Sequence, residues 1–112
     1  MLTIDALREL GADVDDGLAR CMNNESFYLM LVQKAVKDPN VDRLPEAIAA
    51  GDPGKAFEAA YALKGVMANL ALTPIFKPVQ EITELLRSRT DTDYAPLLSE
   101  ISAQRDSLTQ LF

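Results

Sequence analysis

The sequence predicts an all-α fold: one antiparallel, up-down four-helix bundle preceded by short additional helices, spanning residues 1–112 as a single domain. Three observations predict it. Apolar residues recur at intervals of three and four rather than two, the period of one helix face. Helix-starting and helix-ending residues cut the chain into segments of helical length. The longest unbroken apolar run, Phe27 to Val32, sits inside a longer helical pattern that stops at Asp38-Pro39-Asn40, so its length favours helix over buried strand. A chain of 112 residues, 48% of them apolar, can bury roughly two-thirds of its unfolded surface in one core.

Thr3 is placed to cap a short helix over Ile4 to Leu10, with Leu7 and Leu10 inward and Gly11 ending it in a left-handed conformation. Asp13, Asp15 and Asp16 put negative charge at the positive end of a second short helix starting near Asp15. Asn24 caps a helix from Glu25 to Lys37 whose Tyr28, Leu31, Val32 and Ala35 share one face. Asp42, followed by Pro45 in the first turn, opens a helix over Arg43 to Ala50 that Gly51 closes. Asp52-Pro53 opens a long alanine-rich helix to about Ala71. Thr73-Pro74 starts another to about Ser88, with Ile75, Val79, Ile82 and Leu86 as its stripe and Pro78 near the end of its first turn. Asp91-Thr92-Asp93 caps the last, in which Leu97, Leu98, Ile101, Leu108 and Leu111 are inward. The helices starting near 25, 53, 74 and 94 are long enough to build the bundle.

Charge and composition narrow the function. A net charge of −6 argues against nucleic acid and anionic membrane, which both require clustered cations, and points to protein partners. Cys21 is the only cysteine, so there is no internal disulfide and no thiolate cluster for a metal; a reducing, cytoplasmic setting is expected. No segment reads as a membrane span or a targeting signal. With no histidine in the chain, the commonest general base and metal ligand is missing, and the expectation is a monomeric, non-enzymatic protein without cofactor or metal. Asp13, Asp15, Asp16 and Gly17 fail the spacing of a calcium loop and read as helix-end charge; Glu81 and Glu84 read as a solvated face; Cys21 reads as a small core residue.

On the helix opening at Pro53, a rotation of 100° per residue gathers Ala56, Ala60, Leu63, Met67 and Leu70 into the core face. Tyr61, Lys64, Gly65 and Ala68 fall on an outward flank, with Phe57 one turn before Tyr61. Gly65 stands in mid-helix at a cost of about 1 kcal/mol relative to Ala, which either close approach by another molecule or tight packing between helices would explain. Tyr61 either meets a partner or seals the flank by packing on Phe57, and Lys64 is either a docking residue or an ordinary solvated lysine.

The stretch Ala60-Tyr61-Ala62-Leu63-Lys64-Gly65-Val66-Met67-Ala68-Asn69-Leu70 resembles the signature helix of histidine-containing phosphotransfer (HPt) domains, which reads His-x-Leu-Lys-Gly, three variable residues, then Asn-Leu. Gly17-Leu-Ala-Arg-Cys-Met-Asn-Asn-Glu-Ser-Phe-Tyr28 is similar to the leading segment common in bacterial members, and Leu72-Thr-Pro-Ile75 suits the turn that follows the signature helix. Tyr61 stands where the family has its phosphoaccepting histidine. The resemblance implies a four-helix bundle whose Tyr61 flank docks a response-regulator receiver domain or a histidine kinase. A phenol, ordinarily ionising near about pH 10, is a poor nucleophile without an adjacent base, and an aryl phosphate is too stable to pass its group to a carboxylate. The implied role is pseudo-phosphotransfer, binding without carrying phosphate. The alternative is a helical interaction or dimerisation module no longer linked to phosphorelay.

Overall fold

The computed structural model describes residues 1–112 as seven helices without strands: α1 Ile4–Leu10, α2 Val14–Arg20, α3 Glu25–Val36, α4 Asn40–Ala49, α5 Pro53–Asn69, α6 Thr73–Arg87 and α7 Ala95–Thr109. The all-α bundle is as the sequence predicts. Three of the seven starts are also made by the expected side chains. Thr3 accepts from the Ala6 amide at 3.1 Å, Asn24 from Phe27 at 3.1 Å and Asp52 from Lys55 at 3.1 Å, each satisfying an amide that the helix itself leaves free. Gly11, at φ 109°, closes α1 in the left-handed region.

Four boundaries differ from the sequence reading, each for a local reason. Asp13, not Asp15, caps α2, accepting from the Asp16 amide at 3.3 Å, so Asp15 and Asp16 lie in the first turn where the helix dipole favours them. The fourth helix starts at Asn40 because the Asp38 carboxylate takes the Asn40 amide at 2.8 Å, and Pro45 therefore lies inside the helix rather than in its first turn. At α6, Thr73 does not cap; its hydroxyl donates back to the Ala71 carbonyl at 3.5 Å, Leu72 is the flanking residue, and Pro78 is buried within the helix. At α7, Asp93 alone of the acidic run takes the free amide of Ala95, at 3.0 Å, while Tyr94 flanks the helix.

The bundle has four walls, one of which is broken. The groove beside the C-terminal half of α5 is lined by Leu31, Lys34 and Ala35 of α3 against Val66, Asn69 and Leu70. The groove beside its N-terminal half is lined by Arg43, Glu46 and Ala47 of α4 against Lys55, Glu58 and Ala59. Hence α3 and α4 follow one another as a single column interrupted at Asp38-Pro39, and α4 belongs to the bundle rather than lying outside it. Helices α5, α6 and α7 form the other walls, with α7 packed on α6 and α3 and Arg105 reaching Asp42 of α4 at 3.4 Å beside a groove between the two helices. The predicted core face of α5 is buried throughout, as is the α6 stripe Ile75, Val79, Ile82 and Leu86. On α7 only Ile101 and Leu108 are fully buried; Leu97, Leu98 and Leu111 are half-buried because α7 is an outer wall with solvent along one flank. Leu10, at the end of α1, is also half-buried rather than inward.

Helices α1 and α2 close the end where α5 turns into α6. The Asp13 amide donates to the Ala71 carbonyl at 3.0 Å. Tyr28, wholly buried, donates its hydroxyl to the Leu70 carbonyl at 2.8 Å, satisfying one of the acceptors left over at the end of α5. Burial pushes the Tyr28 phenol up to about 12, with Cys21, Asp13 and Asp16 adding to the effect. The unfolded chain therefore loses this proton first as pH rises. The associated stability is intact below the ordinary phenol range and is lost as pH climbs through the folded value, in total about 2–3 kcal/mol. Urea titrations between pH 9 and 12 should show this decline, and Tyr28→Phe should remove it while costing about 1–3 kcal/mol at neutral pH through the stranded Leu70 carbonyl.

Candidate functional site

Helix α5 owes its length to the Asp52 cap, Pro53 in the first turn and five alanines. Its core face is formed by Ala56, Ala59, Ala60, Leu63 and Met67, which leaves the opposite side outward. Tyr61 sits on that side, 56% exposed. Its ring leans on Phe57, one turn earlier, with centroids 5.8 Å apart and planes at 37°, within the separation at which aromatic pairs attract. The Arg87 guanidinium of α6 lies over both rings, 5.1 Å from the Phe57 centroid and 6.0 Å from that of Tyr61. Tyr61 is thus held by packing on Phe57 and still exposed on its outer side.

One turn on, the Lys64 ammonium reaches the Glu84 carboxylate at 3.5 Å, and Arg87 meets the same carboxylate through Nε at 3.2 Å and Nη2 at 3.5 Å. Arg87, by its hydrogen bond, and Lys64 hold the Glu84 carboxyl below the usual carboxylate range against a smaller opposing effect of desolvation. Lys64 is therefore not a freely solvated lysine; its side chain is only 28% exposed. Gly65 is exposed, and a Cβ built there meets nothing within 4 Å. Tight packing between helices thus does not account for this glycine.

Of the five residues singled out from the sequence, the fold gathers Phe57, Tyr61 and Lys64 into one cluster with Gly65 beside it. Ala68 is half-buried and lines a separate shallow hollow with Asp13, Asp16, Thr73 and Phe76. Glu84 and Arg87 complete the cluster and were not legible as members, because spacing along α6 does not say which of its outward residues lies opposite Tyr61. The cluster leaves the Tyr61 phenol without a free base beside it. Its one carboxylate is occupied by two cations, and no imidazole exists to act as base. Cys21 is buried and unpaired, and the side chain of Asp13 is engaged at the start of α2. No helix is long and apolar enough to cross a membrane. Comparison with protein-family models, with curated proteins and with solved structures finds no match for the chain.

Proposed function

We propose that this chain is an HPt-like, pseudo-phosphotransfer protein of bacterial two-component signalling that works in the cytoplasm as a monomer, docking a receiver domain or a histidine kinase on the Tyr61 flank without carrying phosphate and without enzymatic activity. The observation that carries the reading is Gly65: a glycine in the middle of a helix of strong formers, exposed, with open space where a Cβ would be, flanked by Tyr61 and Lys64. Within the chain it brings only the penalty of a mid-helix glycine. Close approach by a partner backbone gives it a use, and Leu63, Lys64, Gly65, Asn69 and Leu70 stand at the spacing of the HPt signature.

Gly65→Ala separates the two effects. The free protein should gain about 1 kcal/mol in stability, read by urea denaturation, because Ala is the better helix former and nothing obstructs its methyl group. Binding to receiver domains from the same organism, read by calorimetry or NMR titration, should weaken about tenfold, the effect of a lost close contact of roughly 1.4 kcal/mol. Absence of any receiver or kinase binding at high micromolar concentration would sink the docking reading.

A second reading has its own observation. Phe27 and Met30, three residues apart on α3, are each 44% exposed, an apolar strip suited to an interaction or dimerisation module unrelated to phosphorelay. A concentration-dependent dimer in light scattering that is abolished by Met30→Lys, together with failure of every receiver to bind, would favour it.

A further inference from the structure

Lys64 and Arg87 come from different helices and converge on the one Glu84 carboxylate. Arg87 is held in a second, independent way by the Phe57 and Tyr61 rings beneath it, so its guanidinium stays in place when Glu84 leaves. Lys64 is likewise kept near by the burial of most of its side chain. Glu84 itself is anchored only by these contacts. Its side chain is half exposed, and exposed ion pairs are weak and readily exchanged.

We infer that Lys64 and Arg87, with the Tyr61 and Phe57 rings as a floor, form an oxyanion seat for a carboxylate or phosphate group, and that Glu84 occupies this seat in the free protein as a built-in competitor. A partner docking on the Tyr61 flank displaces Glu84 by inserting its own oxyanion between the two cations. The planar fork of arginine suits two-point contact with either group, and lysine adds a point charge from the other side. Glu84 makes vacant-seat binding of stray anions unfavourable, so only a partner that also brings apolar contact to Tyr61 and close approach at Gly65 wins the exchange. The inference rests on the docking reading for its biological use, but the seat can be measured without any partner.

The test is NMR titration of the protein with inorganic phosphate and, separately, with acetate at constant ionic strength. Glu84→Ala should bind roughly fivefold or more tightly than the unaltered chain, the scale on which release of exposed ion pairs acts, with saturable shifts at Tyr61, Lys64 and Gly65. Phosphate binding without acetate binding assigns the seat to phosphoryl groups, and the reverse assigns it to carboxylates. Glu81→Ala removes the same charge from the same helix, where Glu81 makes no ion pair, and should leave binding unchanged. Adding Arg87→Gln to Glu84→Ala should abolish the gain. No saturable shift in Glu84→Ala, or an equal gain in Glu81→Ala, overturns the inference. Receiver binding lost together with intact anion binding would instead sink the docking reading alone.

Discussion

Tyr61→Ala leaves an unlabelled chain unlabelled, but Tyr61→His is expected to convert it into one that takes a phosphoryl group from a phosphorylated receiver domain, from background signal to near-stoichiometric, acid-labile label. The position is exposed and faces away from the core. An imidazole there would stand over Phe57, with Lys64 one turn on to balance phosphoryl charge and open space at Gly65 for the donor to approach. The unaltered phenol has no such route, since the cluster offers it no base. The measurement is autoradiography after incubation with labelled receivers, with circular dichroism to show that the helices persist. An intact Tyr61→His fold that stays unlabelled by every receiver would mean that the surface around the position no longer fits a phosphorelay partner.

Gly17→Ala should be among the most damaging single changes in the chain, although it adds one methyl group to a surface-capping helix. A Cβ at Gly17 would lie 2.5 Å from Cε1 and 2.8 Å from Cζ of Tyr28, and 2.8 Å from the Leu70 carbonyl oxygen. Neither neighbour can withdraw cheaply. The Tyr28 ring is wholly buried and tied by its hydroxyl to that same carbonyl, and the carbonyl belongs to the backbone that turns α5 into α6. Overpacking at a site that cannot yield costs about 3 kcal/mol, a large share of the roughly 5–15 kcal/mol that holds a domain of this size together. Thermal unfolding should fall by more than about 10 °C, with α1 and α2 losing hydrogen-exchange protection first. A change within about 2 °C would show that α2 can shift aside, and that the contact among Gly17, Tyr28 and Leu70 does not lock the end of the bundle.

The α5 helix was the most legible part of the chain. Its start is encoded by Asp52-Pro53, and its buried face follows from 100° per residue alone, so Ala56, Ala60, Leu63, Met67 and Leu70 could be listed in advance. Boundaries failed where two residues competed for one duty. Asp38 and Asp42 both precede a helix-compatible segment, and the winner was the one whose carboxylate reaches a free amide. Thr73 has a hydroxyl as suited to capping as Asp52's carboxylate, yet it folds back onto Ala71, where the left-handed backbone presents a carbonyl. The candidate site was half legible. Phe57, Tyr61 and Lys64 share a flank by periodicity, and Gly65 announces itself by its cost.

What the sequence alone determined is the helical identity of each segment, the caps Thr3, Asn24 and Asp52, the core faces of α5 and α6 and the outward flank that carries Tyr61. Helical period and capping are local, so they need no knowledge of what lies across the bundle. Only the tertiary structure decided that α3 and α4 make one broken wall, that Gly17 lies beneath Tyr28, that nothing within the chain fills the space at Gly65, and that Glu84 and Arg87 join the Tyr61 cluster. Those facts turn on how far each helix slides and rotates against the next, which is set by the packing of whole side chains across the core and leaves no trace in the spacing of residues along a single strand of chain.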